Sequence, residues 1–246
     1  EAAMALLYGE ANPSGKLAET FPVKLADNPS YLNFPGEAGV AEYHEGIYVG
    51  YRYYDKKEME VLFPFGHGLS YTTFAYSDLK ISAEKITDQE KLTVSVTVTN
   101  TGDRAGKEVV QLYVGSTNSS VRRPVRELKR FAKVALNPGE SREVTFTLDA
   151  HAFAYYEVKI HDFYVESGEY VISVGSPSRD IRCEGSVTVE STKTLPITVT
   201  RETLIGELAK LPAGRAMLEQ LVTRIHRDAP SAKGDLDALG EGRKTE

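Results

Sequence analysis

"KLTVSVTVTN", residues 91–100, sets Leu92, Val94, Val96 and Val98 in alternation with Thr93, Ser95, Thr97 and Thr99. Side chains alternate across an extended chain, so this period of two gives one apolar and one polar face. The segment therefore reads as an antiparallel strand with one face in a core and the other in water.

Working outward, further strand-like runs follow at "EVVQLYV" (108–114), "ELKRFAKVAL" (127–136), "REVTFTL" (142–148), "HDFYVE" (161–166), "EYVISVG" (169–175) and "GSVTVE" (185–190). Turn chemistry separates them in "NTGDRAG", "NPGE" and "ESGE", where Gly, Asn and Pro supply the backbone angles that tight reversals require. Roughly seven short strands in about 110 residues predict a mainly β domain over 76–190, an antiparallel two-sheet sandwich of immunoglobulin or fibronectin type III style. The chain has one cysteine and no tryptophan, which excludes the Cys…Trp…Cys pattern of antibody domains.

The flanks differ in kind. Residues 1–75 begin with "EAAMALLYGE", in which Ala3, Leu6 and Leu7 form a helical stripe that Gly9 ends and no capping residue opens. The helix looks entered midway, which predicts further sequence upstream. After the turn "NPSGKL", extended segments carry Pro22, Pro29, Pro35 and Pro64. Thirteen aromatic residues lie within these 75 positions. So irregular a segment cannot bury them internally, and exposing apolar surface costs about 25 cal/mol per Å², so a partner surface is expected.

Beyond residue 190, Leu204, Ile205 and Leu208, then Met217, Leu218, Leu221, Val222 and Ile225, recur at helical spacing, with Pro212 suited to a first turn. Region 191–246 is therefore expected to hold two short helices, which need a neighbour or a second copy of the chain to cover them, and a disordered tail in "APSAKGDLDALGEGRKTE".

A formal net charge of -6 over mixed signs offers no basic stripe for phosphates, so nucleic acid is not an expected partner. No apolar run approaches the ~20 residues that cross a bilayer, and no membrane role is expected. The lone Cys183 forms no internal disulfide; it leaves the compartment open, with the cytoplasm favoured. His44, His67, His151, His161 and His226 include no pair at metal-ligand spacing, and neither a metal nor a cofactor is expected. Ser14 and Ser70 lack a nucleophile-elbow context.

The densest chemistry lies in "YHEGIYVGYRYYDKKEMEVLFPFGHGLSYTTF", residues 43–74. Glu45, flanked by His44, Tyr48 and Arg52, is the best candidate acid of the stretch, and Glu45 and Arg52 are the candidate substrate contacts. The competing reading is an Arg–Glu tie inside a seam between domains, because aromatic clusters usually pack. Glycines 50, 66 and 68 would permit close approach and sharp turns.

"YGEANPSGKLAETFP", "EGIYVGYRYYD" and "LFPFGHGLSYTTF", in this order and followed by a strand-rich domain, closely resemble the C-terminal part of glycoside hydrolase family 3, its beta-glucosidases in particular. The resemblance covers about residues 1–190. It implies a parent of a (β/α)8 barrel, an α/β sandwich and a fibronectin type III-like domain, of which 1–75 would be the end of the second plus an aromatic linker. It also implies a retaining mechanism, with a barrel Asp as nucleophile and a sandwich Glu as acid/base. Neither motif occurs here, so no catalytic residue is assigned in this chain, and Glu45 is not moved into that role. The expected partners are the upstream domains and a β-glucoside or related oligosaccharide. The alternative is an independent carbohydrate-binding or adhesion module, which would expose coplanar aromatics.

Overall fold

The computed structural model describes residues 1–196 and 199–228. The chain forms two compact units, Glu1–Thr194 and Leu195–Glu246.

Unit one starts with helix α1 (Ala2–Leu7), which no side chain caps. A two-residue strand β1 (Phe21–Pro22) and a 3₁₀ turn (Leu25–Asp27) precede helix α2 (Tyr51–Lys56) and strand β2 (Val61–Phe63), which pairs with β1. Where extended segments were expected after the "NPSGKL" turn, α2 is a correction: Gly50 (φ 59°) turns the chain into it, and Tyr54 is its one buried anchor.

The sandwich follows: β3 (Phe74–Ile81), β4 (Lys85–Thr87), β5 (Leu92–Asn100), β6 (Gly106–Ser116), β7 (Glu127–Leu136), β8 (Ser141–Leu148), helix α3 (Ala150–Phe153), β9 (Tyr155–Glu157), β10 (Asp162–Tyr164), β11 (Gly168–Gly175) and β12 (Ile181–Glu190). One sheet runs β4-β12-β11-β6-β7 and the other β3-β5-β8. All neighbours are antiparallel except β4 on β12. The predicted strand at 161–166 is shorter and placed elsewhere: β10 pairs only with β9, as a separate hairpin.

The alternation in 91–100 becomes geometry directly. Leu92, Val94, Val96 and Val98 are all fully buried, opposite Val110, Leu112, Ile172, Val174 and Val187 of the other sheet. Each such side chain contributes about 1.5–3 kcal/mol through removal from water. Strand β6 breaks alternation because both its faces are covered: Val110, Gln111, Leu112, Tyr113 and Val114 are all buried. Its second face is the floor on which residues 1–75 lie.

Unit two holds α4 (Ile205–Lys210) and α5 (Pro212–Asp228), with Pro212 at the first position of α5. The two approach closely at Gly214, where a Cβ would lie 2.1 Å from the Leu208 carbonyl oxygen. Leu204, Ile205, Met217 and Leu221 are exposed. The tail expected at 229–246 lies outside the described residues. No helix among the described residues is long and apolar enough to cross a membrane.

Candidate functional site

Two turns of residues 1–75 lock to each other beside strand β6. In the "NPSGKL" turn Leu17 donates its N–H to the His67 carbonyl (2.8 Å), and its own carbonyl accepts from Gly66 (2.9 Å). Gly68 approaches so closely that a Cβ there would lie 2.2 Å from the Gly15 oxygen. At Gly66 (φ +82°) a Cβ would meet Gln111 Nε2 at 2.5 Å. Glycine is therefore required at Gly68 by space and at Gly66 by backbone angle.

Beneath these turns lies a buried polar triad. Lys16 Nζ sits 3.2 Å from Glu108 Oε1 and donates to Ser176 Oγ at 2.8 Å; Ser176 in turn donates to Glu108 at 2.6 Å. Side-chain exposure is only 15 % for Lys16 and 7 % for Glu108. Each charge thus depends on the other, since an unpaired charge at this depth costs several kcal/mol. Asn12 adds a neutral tie, donating to the Ala105 carbonyl and accepting from Ser70 Oγ and the Tyr71 amide.

The aromatic linker forms a second set of contacts. Tyr51 stacks on Phe65 (4.8 Å) and meets Tyr113 of β6 edge-on (6.0 Å), while its hydroxyl oxygen accepts from the Leu128 amide at 2.8 Å. Tyr113 donates to Gln111 Oε1. Ser178 donates its amide to the Phe65 carbonyl at 2.9 Å.

Arg52 points to the sandwich. It pairs with Glu127 at 3.1 Å, and Glu127 also faces Lys129 (3.3 Å) and Arg123 (3.6 Å). Glu45 is not its partner, which corrects the Arg–Glu tie expected from their closeness in sequence. Glu45 lies half-exposed in a turn, its backbone carbonyl accepting from Tyr48 at 3.0 Å, and its side chain makes no ion pair among the described residues. The structure therefore does not bring Glu45 and Arg52 together. Burial lowers the Lys129 pKa, opposed by Glu127 and reinforced by the neighbouring Arg123 and Arg52. The last tie is Asp55 to Arg179, 2.8 Å from Oδ1 to Nε. Burial raises the Asp55 pKa against the pull of that guanidinium.

Residues 1–75 also carry large apolar side chains that the chain leaves uncovered. Leu32 is 90 % exposed and Phe34 78 %, with Leu7, Tyr8, Tyr43 and Leu69 also exposed. Leu6, Leu17, Phe21, Phe63, His67 and Leu69 line a hollow of about 730 Å³. So many exposed large apolar side chains in one segment mark it as an interaction region. Elsewhere, Tyr156, Phe163 and His151 meet edge-on at 81° and 83°, so this cluster presents no flat aromatic platform. Among the described residues there is no group of three or more His, Cys, Asp or Glu side chains that could hold a metal ion.

Residues 1–71 match the Glycosyl hydrolase family 3 C-terminal domain, and residues 108–178 match the Fibronectin type III-like domain. The chain belongs to glycoside hydrolase family 3. It is 55 % identical over 220 residues to Thermostable beta-glucosidase B of Acetivibrio thermocellus, covering 89 % of this chain and 29 % of that protein. It is 47 % identical over 194 residues to an Exo-alpha-(1->6)-L-arabinopyranosidase of Bifidobacterium breve, covering 78 % and 25 %. The crystal structure of the Bifidobacterium adolescentis GH3 beta-glucosidase superposes with a TM-score of 0.78 at 45 % identity, over 88 % of this chain and 32 % of that one. The family 3 chain thus spans about a third or less of the length of these relatives, and it corresponds to their C-terminal glycosidase region. The seam of turns, triad and linker joins the segments that the two domain matches cover.

Proposed function

We propose that this chain is the C-terminal part of a retaining glycoside hydrolase that removes terminal β-D-glucosyl residues, and that it acts by domain packing while the catalytic carboxylates belong to the upstream part of the parent. Residues 1–75 then complete the α/β sandwich domain and form the linker, 76–190 form the fibronectin type III-like domain, and 191–246 are an extension. The observation that carries this reading is that residues 1–75 are fixed to the sandwich by the Lys16–Glu108–Ser176 triad and yet leave many large apolar side chains uncovered, which suits them to the upstream domains.

In this role Arg52 and Glu127 set the linker, and Glu45, half-exposed in its turn, is a candidate substrate contact and not the catalytic acid. The relatives include both beta-glucosidases and an arabinopyranosidase, so the β-glucoside assignment follows the larger number of matches. Turnover of an aryl β-glucoside tests it. The 246-residue chain is expected to be inactive and the longer parent active; release of aryl alcohol by a pure sample of this chain would overturn the reading.

A further inference from the structure

The loop between β6 and β7, residues 117–126, is tied to the sandwich at two points. Near its start Glu166 accepts from Ser119 Oγ (2.6 Å) and from the Ser120 amide (2.8 Å). Farther along, Arg123, its side chain only 9 % exposed, donates to the carbonyl oxygens of Phe153 (2.9 Å) and Ala154 (3.3 Å). Its guanidinium also lies 5.8 Å from the ring centres of Tyr155 and Tyr170. A planar fork of donors set beside two rings fixes the backbone that carries it, which the rotating ammonium of a lysine does not do.

The aromatic linker is attached to this loop on both sides of Gly50. Before Gly50, the Tyr48 hydroxyl donates to the Arg123 carbonyl at 3.4 Å, and the Tyr48 amide closes the turn that carries Glu45 by donating to the Glu45 carbonyl at 3.0 Å. After it, Arg52 pairs with Oε1 of Glu127, whose Oε2 lies 3.6 Å from Arg123. Gly50 itself has a φ of 59°, and nothing beyond its chain neighbours lies within 4 Å of the place a Cβ would take. The linker is therefore unsupported at Gly50 and takes its direction from the two attachments, both of which lead to Arg123.

We propose that Arg123 is a positioning residue, which holds the 117–126 loop as the template for the turn bearing Glu45. Its effect on catalysis rests on the glycosidase reading, in which Glu45 is a candidate substrate contact. Arg123→Lys keeps the charge and removes the fork. In this chain the 1H–15N heteronuclear NOE of residues 45–49 should fall while that of β5 is unchanged. In the longer parent, KM for an aryl β-glucoside should rise roughly tenfold at nearly constant kcat, the mark of a contact made equally in ground and transition states. Glu45→Gln should raise KM by a similar factor, and the double variant should show no further rise, because both changes remove one contact. A merely structural role for Arg123 would instead lower the fraction of folded enzyme, and with it apparent kcat, at unchanged KM. Tyr48→Phe, which deletes one hydroxyl, serves if Arg123→Lys does not fold, and should raise KM about threefold. Unchanged KM in the folded variants, additive effects in the double variant, or an unchanged NOE at 45–49 would each overturn the proposal. Turnover by the unsubstituted parent tests the glycosidase reading separately, and the NOE result stands whatever the parent's activity.

Discussion

The sandwich and the segment before it are stabilised by opposite means. In 76–190 the two sheets close on a continuous apolar core in which Leu92, Val94, Val96, Val98, Leu112 and Ile172 are fully buried. In 1–75 one buried helix residue, Tyr54, and a set of charged and glycine contacts hold an irregular chain against β6. Each region finds its packing partner in a different place. A sandwich supplies its own second layer, whereas the preceding segment borrows one layer from β6 and leaves its other face for something else.

The largest expected loss lies in the apolar core of the sandwich. Phe153, 1 % exposed and edge-on to Tyr170 at 5.2 Å, should cost about 3–5 kcal/mol when cut to alanine, read as a fall in the urea midpoint. Next, Lys16→Met should cost about 3 kcal/mol by leaving Glu108 buried without its cation. Adding Glu108→Gln should recover much of that loss, and a double-mutant cycle in urea would measure the coupling. Simple additivity would show that the triad is not a unit.

A smaller effect distinguishes the two regions by pH. The folded chain holds Asp55 above its ordinary pKa of 3.8, so between the unfolded and folded values it binds more protons than the unfolded chain. Its contribution is therefore fully present below pH 3.8 and declines as pH rises through the folded pKa. Asp55→Asn should remove that decline from the pH profile of unfolding free energy. The smallest effect belongs to the uncovered face: Leu32→Ser should change the stability of this chain by less than about 0.5 kcal/mol, yet impair folding or activity of the longer parent.

What the sequence made legible follows the same division. The alternation of 91–100 and the apolar run of 127–136 report burial through neighbours in sequence, and they matched β5 and β7 closely. Strand β3 went unseen because a bulge between Ser77 and Lys80, with Asp78 at φ 52°, destroys its alternation. Helix α2 was hidden since six aromatic and polar residues carry no helical stripe and no side-chain cap. The seam was legible only as motifs: the glycines of "GHG" announced a close approach, but nothing local could pair Lys16 with Ser176, 160 positions away. Arg52 was singled out correctly as a polar group in need of a partner, yet its carboxylate came from β7 and not from neighbouring Glu45.

The proposed packing role requires upstream domains of the same protein to cover the exposed apolar side chains of residues 1–75. Amide hydrogen exchange, measured on this chain and on the longer parent, is the sharpest test. The sandwich strands should exchange equally slowly in both, while amides of residues 21–49 should be protected only in the parent. Equal exchange of 21–49 in the two proteins would contradict it.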